Sequence, residues 1–201
     1  MLSMIAPSGG GKGTVVKYLL QKYPDMFALS VSATTRNPRP GEIEGVHYYF
    51  VSPEQFKKDI KSRRFVEYEE VYEDKFYGTY KDEIQRINDL GKVVIFDIDY
   101  KGATSIQRLY PDETLVIGLL PPGLPSLDIL EKRLRDRELK DVHLLSSEDL
   151  QKKESDLQKR LIRVPEEILH ITMHEHVIVN DILEQTLLQV EDVLRMYKLD
   201  I

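Results

Sequence analysis

The sequence predicts an α/β fold with a doubly wound, mainly parallel five-stranded sheet. Two observations predict it: short apolar runs alternate with helical periodicities, and the crossovers between them fit a doubly wound sheet, although one stretch breaks the alternation. The strands fall at residues 2–5, 28–32, 93–98, 115–120 and 176–179. Between them, apolar residues recur at three and four: Val16, Leu19 and Leu20; Leu127, Leu130 and Leu134; Leu187, Val190 and Leu194. The interruption consists of residues 46–51, a short helix near 53–60, and residues 65–71 and 76–80. It reads as a small mixed α/β insertion that faces a ligand.

A length of 201 residues with 41% hydrophobic and 31% charged side chains suits one domain spanning residues 1–201. Its expected parts are a core (1–32, 81–134 and 164–201), an acceptor-binding subdomain (33–80) and an enlarged helical lid (135–163). The apolar runs at 93–96 and 115–120 are far shorter than the roughly 20 residues that a membrane helix requires. Residues 1–5 lead straight into a glycine-rich loop without a basic start or a small-residue cleavage site, so no export address is expected. The absence of cysteine excludes disulfides and thiolate metal sites. A cytoplasmic protein is the expectation. A net charge of −6 argues against bulk attraction to nucleic acid or an acidic membrane, so any polyanion must be held by a local set of Arg, Lys and backbone N–H groups.

The first strand runs into A-P-S-G-G-G-K-G-T, residues 6–14, and then into a helix. That order is what a phosphate-binding loop requires. Its glycines let N–H groups converge on oxygens, the helix N-terminus adds a favourable dipole, and Lys12 reaches the β- and γ-phosphates. Pro7, Ser8, Gly9, Gly10, Gly11, Lys12, Gly13 and Thr14 are the expected ATP-binding residues. An ordinary strand-to-helix turn is the alternative. Ala6 replaces the first glycine of the general pattern and Gly13 replaces its magnesium-binding hydroxyl. Thr14, the nearest hydroxyl, is therefore an uncertain metal contact.

Downstream, S-V-S-A-T-T-R-N-P-R-P-G-E (residues 30–42) places Arg36 and Arg39 around a proline-stiffened loop. Two guanidinium forks suit a phosphate monoester; a solvated basic loop is the alternative. Asp97 and Asp99 end a hydrophobic strand, where carboxylates two apart share a face at the C-terminal rim of a parallel sheet, the usual ligand side. Strand-end caps are the alternative there.

With G-E-I-E-G-V-H-Y-Y-F (41–50), F-V-E-Y (65–68), F-Y-G-T (76–79), F-D-I-D-Y-K-G-A (96–103) and V-I-V-N-D (177–181), the chain resembles the guanylate kinases, P-loop nucleoside monophosphate kinases. The resemblance runs to about residue 122 and returns at Lys159. It implies transfer of the γ-phosphoryl group of MgATP to GMP, giving ADP and GDP. It also implies that Arg36, Arg39, Tyr48 and Tyr77 bind the GMP phosphate, and that Ser32, Glu67, Thr79 and Asp97 surround the guanine. Guanine presents two adjacent donors, N1–H and the exocyclic amine, that a carboxylate such as Glu67 can accept, and adenine presents no such pair. By the same resemblance, Asp99 holds hydrated Mg²⁺ through water and Asn180 lies on the adenine side, with a plain turn as the alternative for Asn180.

The family's lid segment R-G-R-G-T is replaced by R-L-R-D-R-E-L-K-D (133–141), and K-R-L comes only at 159–161. Arg137 and Arg160 are the carry-overs for the ATP phosphates, with Lys12 and Arg36 completing the catalytic set, and Arg133 and Arg163 are substitutes. Residues 139–155 read as a surface insertion remote from the phosphates. Pro165 fits either the first turn of a helix or a kink. His170, His174 and His176 read as ordinary interfacial histidines. Two rival functions are a catalytically silent, partner-binding domain, disfavoured by the retained loop, and a kinase for another phosphorylated acceptor, disfavoured by Ser32, Glu67 and Thr79. ATP and GMP are the expected partners, and monomer and homo-oligomer stay equally open.

Overall fold

Buried apolar runs too short for helices become strands, and longer stretches with one apolar face become the helices that cover them. In a computed structural model, residues 1–39, 41–72, 75–124, 127–138, 146–197 and 199 are described. The strands are β1 (Leu2–Ile5), β2 (Phe27–Leu29), β3 (Ala33–Thr34), β4 (Tyr49–Phe50), β5 (Phe65–Tyr72), β6 (Lys75–Tyr80), β7 (Val93–Phe96), β8 (Leu115–Leu120) and β9 (His176–Val179). The helices are α1 (Lys12–Lys22), α2 (Pro53–Lys61), α3 (Lys81–Asp89), α4 (Tyr100–Leu109), α5 (Asp128–Glu138), α6 (Ser147–Ile171) and α7 (Leu183–Met196). A five-stranded sheet has the order β2-β7-β1-β8-β9 and a four-stranded one the order β4-β3-β6-β5, the α/β class that the sequence predicts.

The chain divides into two compact units, Met1–Ser3 with Val16–Leu115 and Met4–Val15 with Val116–Ile201. In the first, β7 pairs in parallel with β2 (Phe27 opposite Val93) and with the start of β1 (Leu2 opposite Ile95). Val66, Ile84, Ile87, Val94, Phe96 and Ile106 form a buried cluster there. The mixed sheet has a core of its own, Ala33, Phe56, Phe65, Phe76 and Tyr80, with the Phe65 ring stacked 4.3 Å from Phe56 and 4.4 Å from Tyr80. Helix α2 starts where Pro53 follows Ser52, whose hydroxyl accepts the Gln55 N–H at 3.1 Å. In the second unit β8 pairs in parallel with β9, Ile117 opposite His176 through Leu120 opposite Val179.

Several elements differ from the sequence expectation, among them residues 46–51, of which only Tyr49–Phe50 forms a strand. The strand expected at 28–32 is Phe27–Leu29, because the chain then leaves the sheet and the Val31 N–H donates to the buried Glu83 carboxylate at 2.9 Å. The strand expected at 93–98 stops at Phe96, ahead of Asp97 and Asp99. The surface insertion expected at 139–155 lies outside the described residues as far as 145, and from Ser147 it is the first part of α6. Pro165 is interior to that helix, where its missing N–H removes one backbone hydrogen bond.

Candidate functional site

The second unit carries the glycine-rich loop between β1 and α1. Gly9 and Gly11 have φ of 83° and 92°, a backbone region that L side chains rarely adopt. The Gly10 N–H closes a tight turn on the Pro7 carbonyl at 2.8 Å. Helix α5 packs close, since a Cβ at Gly9 would lie 3.1 Å from the Leu134 side chain and 3.2 Å from the Leu130 carbonyl. The loop is also tied from afar. The Ser8 N–H donates to Glu167 of α6 at 3.0 Å, and the Asn180 amide donates to the Gly10 carbonyl at 2.8 Å. Lys12 opens α1 half-buried, and Gly13 and Thr14 are exposed beside it.

Arginines cluster on α5 and α6 of the same unit. Arg137 and Arg160 both donate to one oxygen of Glu138 at 2.9 Å, which holds that carboxyl below its usual range despite partial burial. Arg135 bridges Glu131 and Glu154, and the Lys153 ammonium donates to the Glu138 carbonyl at 2.8 Å. Arg133 turns elsewhere and donates to the Asn180 backbone carbonyl at 3.3 Å. Arg163 is half-buried on α6.

In the first unit, Arg36 lies under an aromatic roof, its guanidinium carbon 5.1 Å from the Tyr48 ring centre and 5.7 Å from that of Phe50. The Tyr77 ring lies edge-on to Tyr48 at 6.0 Å, so the sequence-predicted Arg36, Tyr48 and Tyr77 meet. Sequence reasoning left Glu42 unassigned, yet it holds Arg36 by two hydrogen bonds of 2.6 and 2.7 Å. It also accepts the Arg39 backbone N–H at 2.7 Å, and these bonds, Arg36 first, depress its carboxyl to about 2. The Arg39 side chain is exposed.

Strands β5 and β6 bring together residues that the sequence assigns to the base. Glu67 pairs with Thr79 and Glu69 with Tyr77 in register, so alternation puts all four on one face. The buried Thr79 hydroxyl donates to Glu67 Oε1 at 2.7 Å. Burial, opposed by this hydrogen bond and reinforced by the Asp99 charge, pushes the Glu67 carboxyl up to about 7. A Cβ at Gly102 would lie 3.1 Å from Glu67 Oε2, so the glycine of the K-G-A segment leaves room for that carboxylate. Asp99 is the N-cap of α4, accepting the Gly102 N–H at 3.0 Å, and Asp97 is exposed just past β7. Ser32 is half-buried, and its carbonyl accepts the Tyr49 N–H at 2.9 Å.

His170, His174 and His176 lie in the second unit. His176 meets the Tyr197 hydroxyl at 2.9 Å, and burial and then the nearby His170 lower the His174 pKa. Among the described residues no group of three or more His, Cys, Asp or Glu side chains could hold a metal ion. No described helix is long and apolar enough to cross a membrane.

The guanylate kinase family profile matches residues 1–197. The chain belongs to the guanylate kinase family. It is 38% identical to the guanylate kinase of Maricaulis maris over 99% of this chain and 84% of that protein. It is 42% identical to that of Salinibacter ruber over 90% and 87%, and 48% identical to that of Porphyromonas gingivalis over 68% and 71%. The crystal structure of guanylate kinase from Anaplasma phagocytophilum superposes with a TM-score of 0.69 at 27% identity, covering 100% of this chain and 86% of that one. Membership makes the chain a nucleoside monophosphate kinase, a transferase with an ATP-binding loop and an acceptor site for GMP. The residues outside the sequence assignments are Glu42, Glu138 and Glu167. Glu42 and Glu138 both sit inside quoted segments, three residues after Arg39 and one after Arg137, and Glu167 does not.

Proposed function

We propose that the chain transfers the γ-phosphoryl group of MgATP to GMP, giving ADP and GDP, with residues 33–80 as the acceptor-binding subdomain and 135–163 as the lid. The observation that carries this reading is Glu67, a half-buried carboxylate oriented by Thr79 and given room by Gly102. Such a group accepts both guanine donors and has no matching pair in adenine. Ser32 and Asp97 complete the base site. Arg36, Arg39, Tyr48 and Tyr77 take the GMP phosphate, and the Arg36–Glu42 pair supports this by fixing one guanidinium before substrate arrives.

The loop N–H groups and Lys12 hold the ATP phosphates, and Arg137 and Arg160 leave Glu138 to neutralise charge on the transferring group. No covalent intermediate is required. Magnesium, a hard cation that keeps its waters and prefers carboxylates and phosphates, would neutralise charge on the ATP phosphates. The Asp99 carboxylate, oriented by its cap on Gly102, has the oxygen chemistry to hold it through water, and Thr14 is the nearest loop hydroxyl. The absence of cysteine supports a cytoplasmic location. The test is product analysis: purified protein with MgATP and GMP should form equal amounts of ADP and GDP, and a folded protein that forms neither refutes the proposal.

A further inference from the structure

We propose that Asn180 is a positioning residue for the phosphate loop, acting through its side-chain amide on Gly10. This rests on the reading that residues 6–14 hold the ATP phosphates. Asn180 directly follows β9, and its own N–H donates to the Leu120 carbonyl at 2.7 Å, so its place is fixed by the end of the sheet. Its carbonyl accepts from Arg133 at 3.3 Å. Its side-chain amide donates to the Gly10 carbonyl at 2.8 Å. A Cβ added at Gly11 would collide with the same Asn180 nitrogen. The amide is thus pressed against two consecutive loop residues, the second at φ 92°.

A loop that turns its N–H groups toward phosphate must turn carbonyls away from it, and a carbonyl turned into the protein needs a donor there. Asn180 is that donor for Gly10. Asn180 is buried, with 6% of its surface exposed, and its amide nitrogen is committed to the loop. Glu167 supports the same division of labour, taking the Ser8 N–H at the loop's start. Asn180 therefore sets the loop conformation before nucleotide arrives, and this contribution should be felt by the phosphates even without a base.

The decisive comparison is between ATP and inorganic triphosphate, which shares the phosphate chain and lacks the base. Their affinities are measured by displacement of a fluorescent ADP analogue from the unsubstituted protein, Asn180→Ala and Lys12→Ala, with GMP affinity measured alongside. Asn180→Ala should weaken triphosphate by about tenfold and ATP by at least as much, and leave GMP affinity within about twofold. Loss of ATP affinity with triphosphate unchanged overturns the proposal, as does no loss of either. If Lys12→Ala binds triphosphate normally, the loop reading itself fails. If Lys12→Ala is weakened and Asn180→Ala is not, only the role of Asn180 fails. Should Asn180→Ala not fold, the unsubstituted protein answers through the side-chain amide resonance of Asn180. Triphosphate should shift that resonance without any base present, and a shift with ATP alone overturns the proposal.

Discussion

Arg36 finds Glu42 six residues away and Glu67 finds Thr79 twelve residues away, whereas Gly10 is held by Asn180 at a separation of 170 and Ser8 by Glu167 at 159. The acceptor side is assembled from neighbours in the chain, on a small sheet with its own aromatic core. The phosphate loop supplies its own tight turn but borrows its supports from the far C-terminal part. A substitution on the acceptor side should therefore act on GMP alone, and one far along the chain can act on the loop.

The largest expected effect is on the loop. Lys12→Ala should lower kcat by about a hundredfold or more, because a positive charge next to the transferring group is lost. GMP affinity should hold, and a parallel loss of GMP binding would break the proposed separation of the two sides. Steady-state kinetics with each substrate varied in turn decides it.

Next in size is Glu67, the proposed base reader. Glu67→Gln should reduce the preference for GMP over AMP by roughly 1 to 3 kcal/mol in kcat/KM, since guanine's paired donors lose one acceptor. An unchanged ratio would remove Glu67 from the site. The same group sets a pH dependence. With its carboxyl at about 7, protonation removes the second acceptor, so KM for GMP should rise as pH falls from about 7.5 to 5.5. Stability should move the other way. A carboxyl whose pKa is raised by folding favours the folded state at low pH, and that contribution is lost as pH rises through about 7. Glu67→Gln should flatten both profiles, and a GMP profile that keeps its slope in the variant assigns the titration to another group.

What the sequence made legible follows the same division. The strands expected at 2–5, 115–120 and 176–179 match β1, β8 and β9 residue for residue; β1 and β8 are buried throughout, whereas β9 buries only Ile178 and is legible from its short run of apolar residues between Glu175 and Asn180. Arg36, Tyr48 and Tyr77, and likewise Glu67 and Thr79, lie in short motifs, and the structure brings each set together. Helices α3 and α4 are not among those that periodicity predicts; α3 has nine residues and buries only two apolar ones, Ile84 and Ile87. Glu167 and Glu138 carry no local signal, since a glutamate on a charged helix looks the same whether it binds solvent, a loop amide or two arginines. The link from Asn180 to Gly10 likewise requires the folded chain.

Smaller effects separate the arginines of the lid. Arg160→Ala should lower kcat by about tenfold and change KM for GMP little, because an arginine that leaves Glu138 for the transferring phosphoryl group supports the transition state. A normal kcat would make its pairing with Glu138 purely structural. Glu154→Gln should change least. It breaks an exposed pair with Arg135 that joins α5 to α6, so kcat should stay within about twofold and the melting temperature should fall by no more than about 2 °C. A larger loss of activity would show that the order of α6 near its start matters to catalysis.

The central claim is that this chain phosphorylates GMP and selects it by its base. The most direct measurement is a coupled ADP-release assay with MgATP and each of GMP, AMP, CMP and UMP at equal concentration. GMP should be turned over with a kcat/KM at least about a hundredfold above that for any other acceptor. Comparable rates for AMP, or no release that depends on a nucleoside monophosphate, would contradict the account.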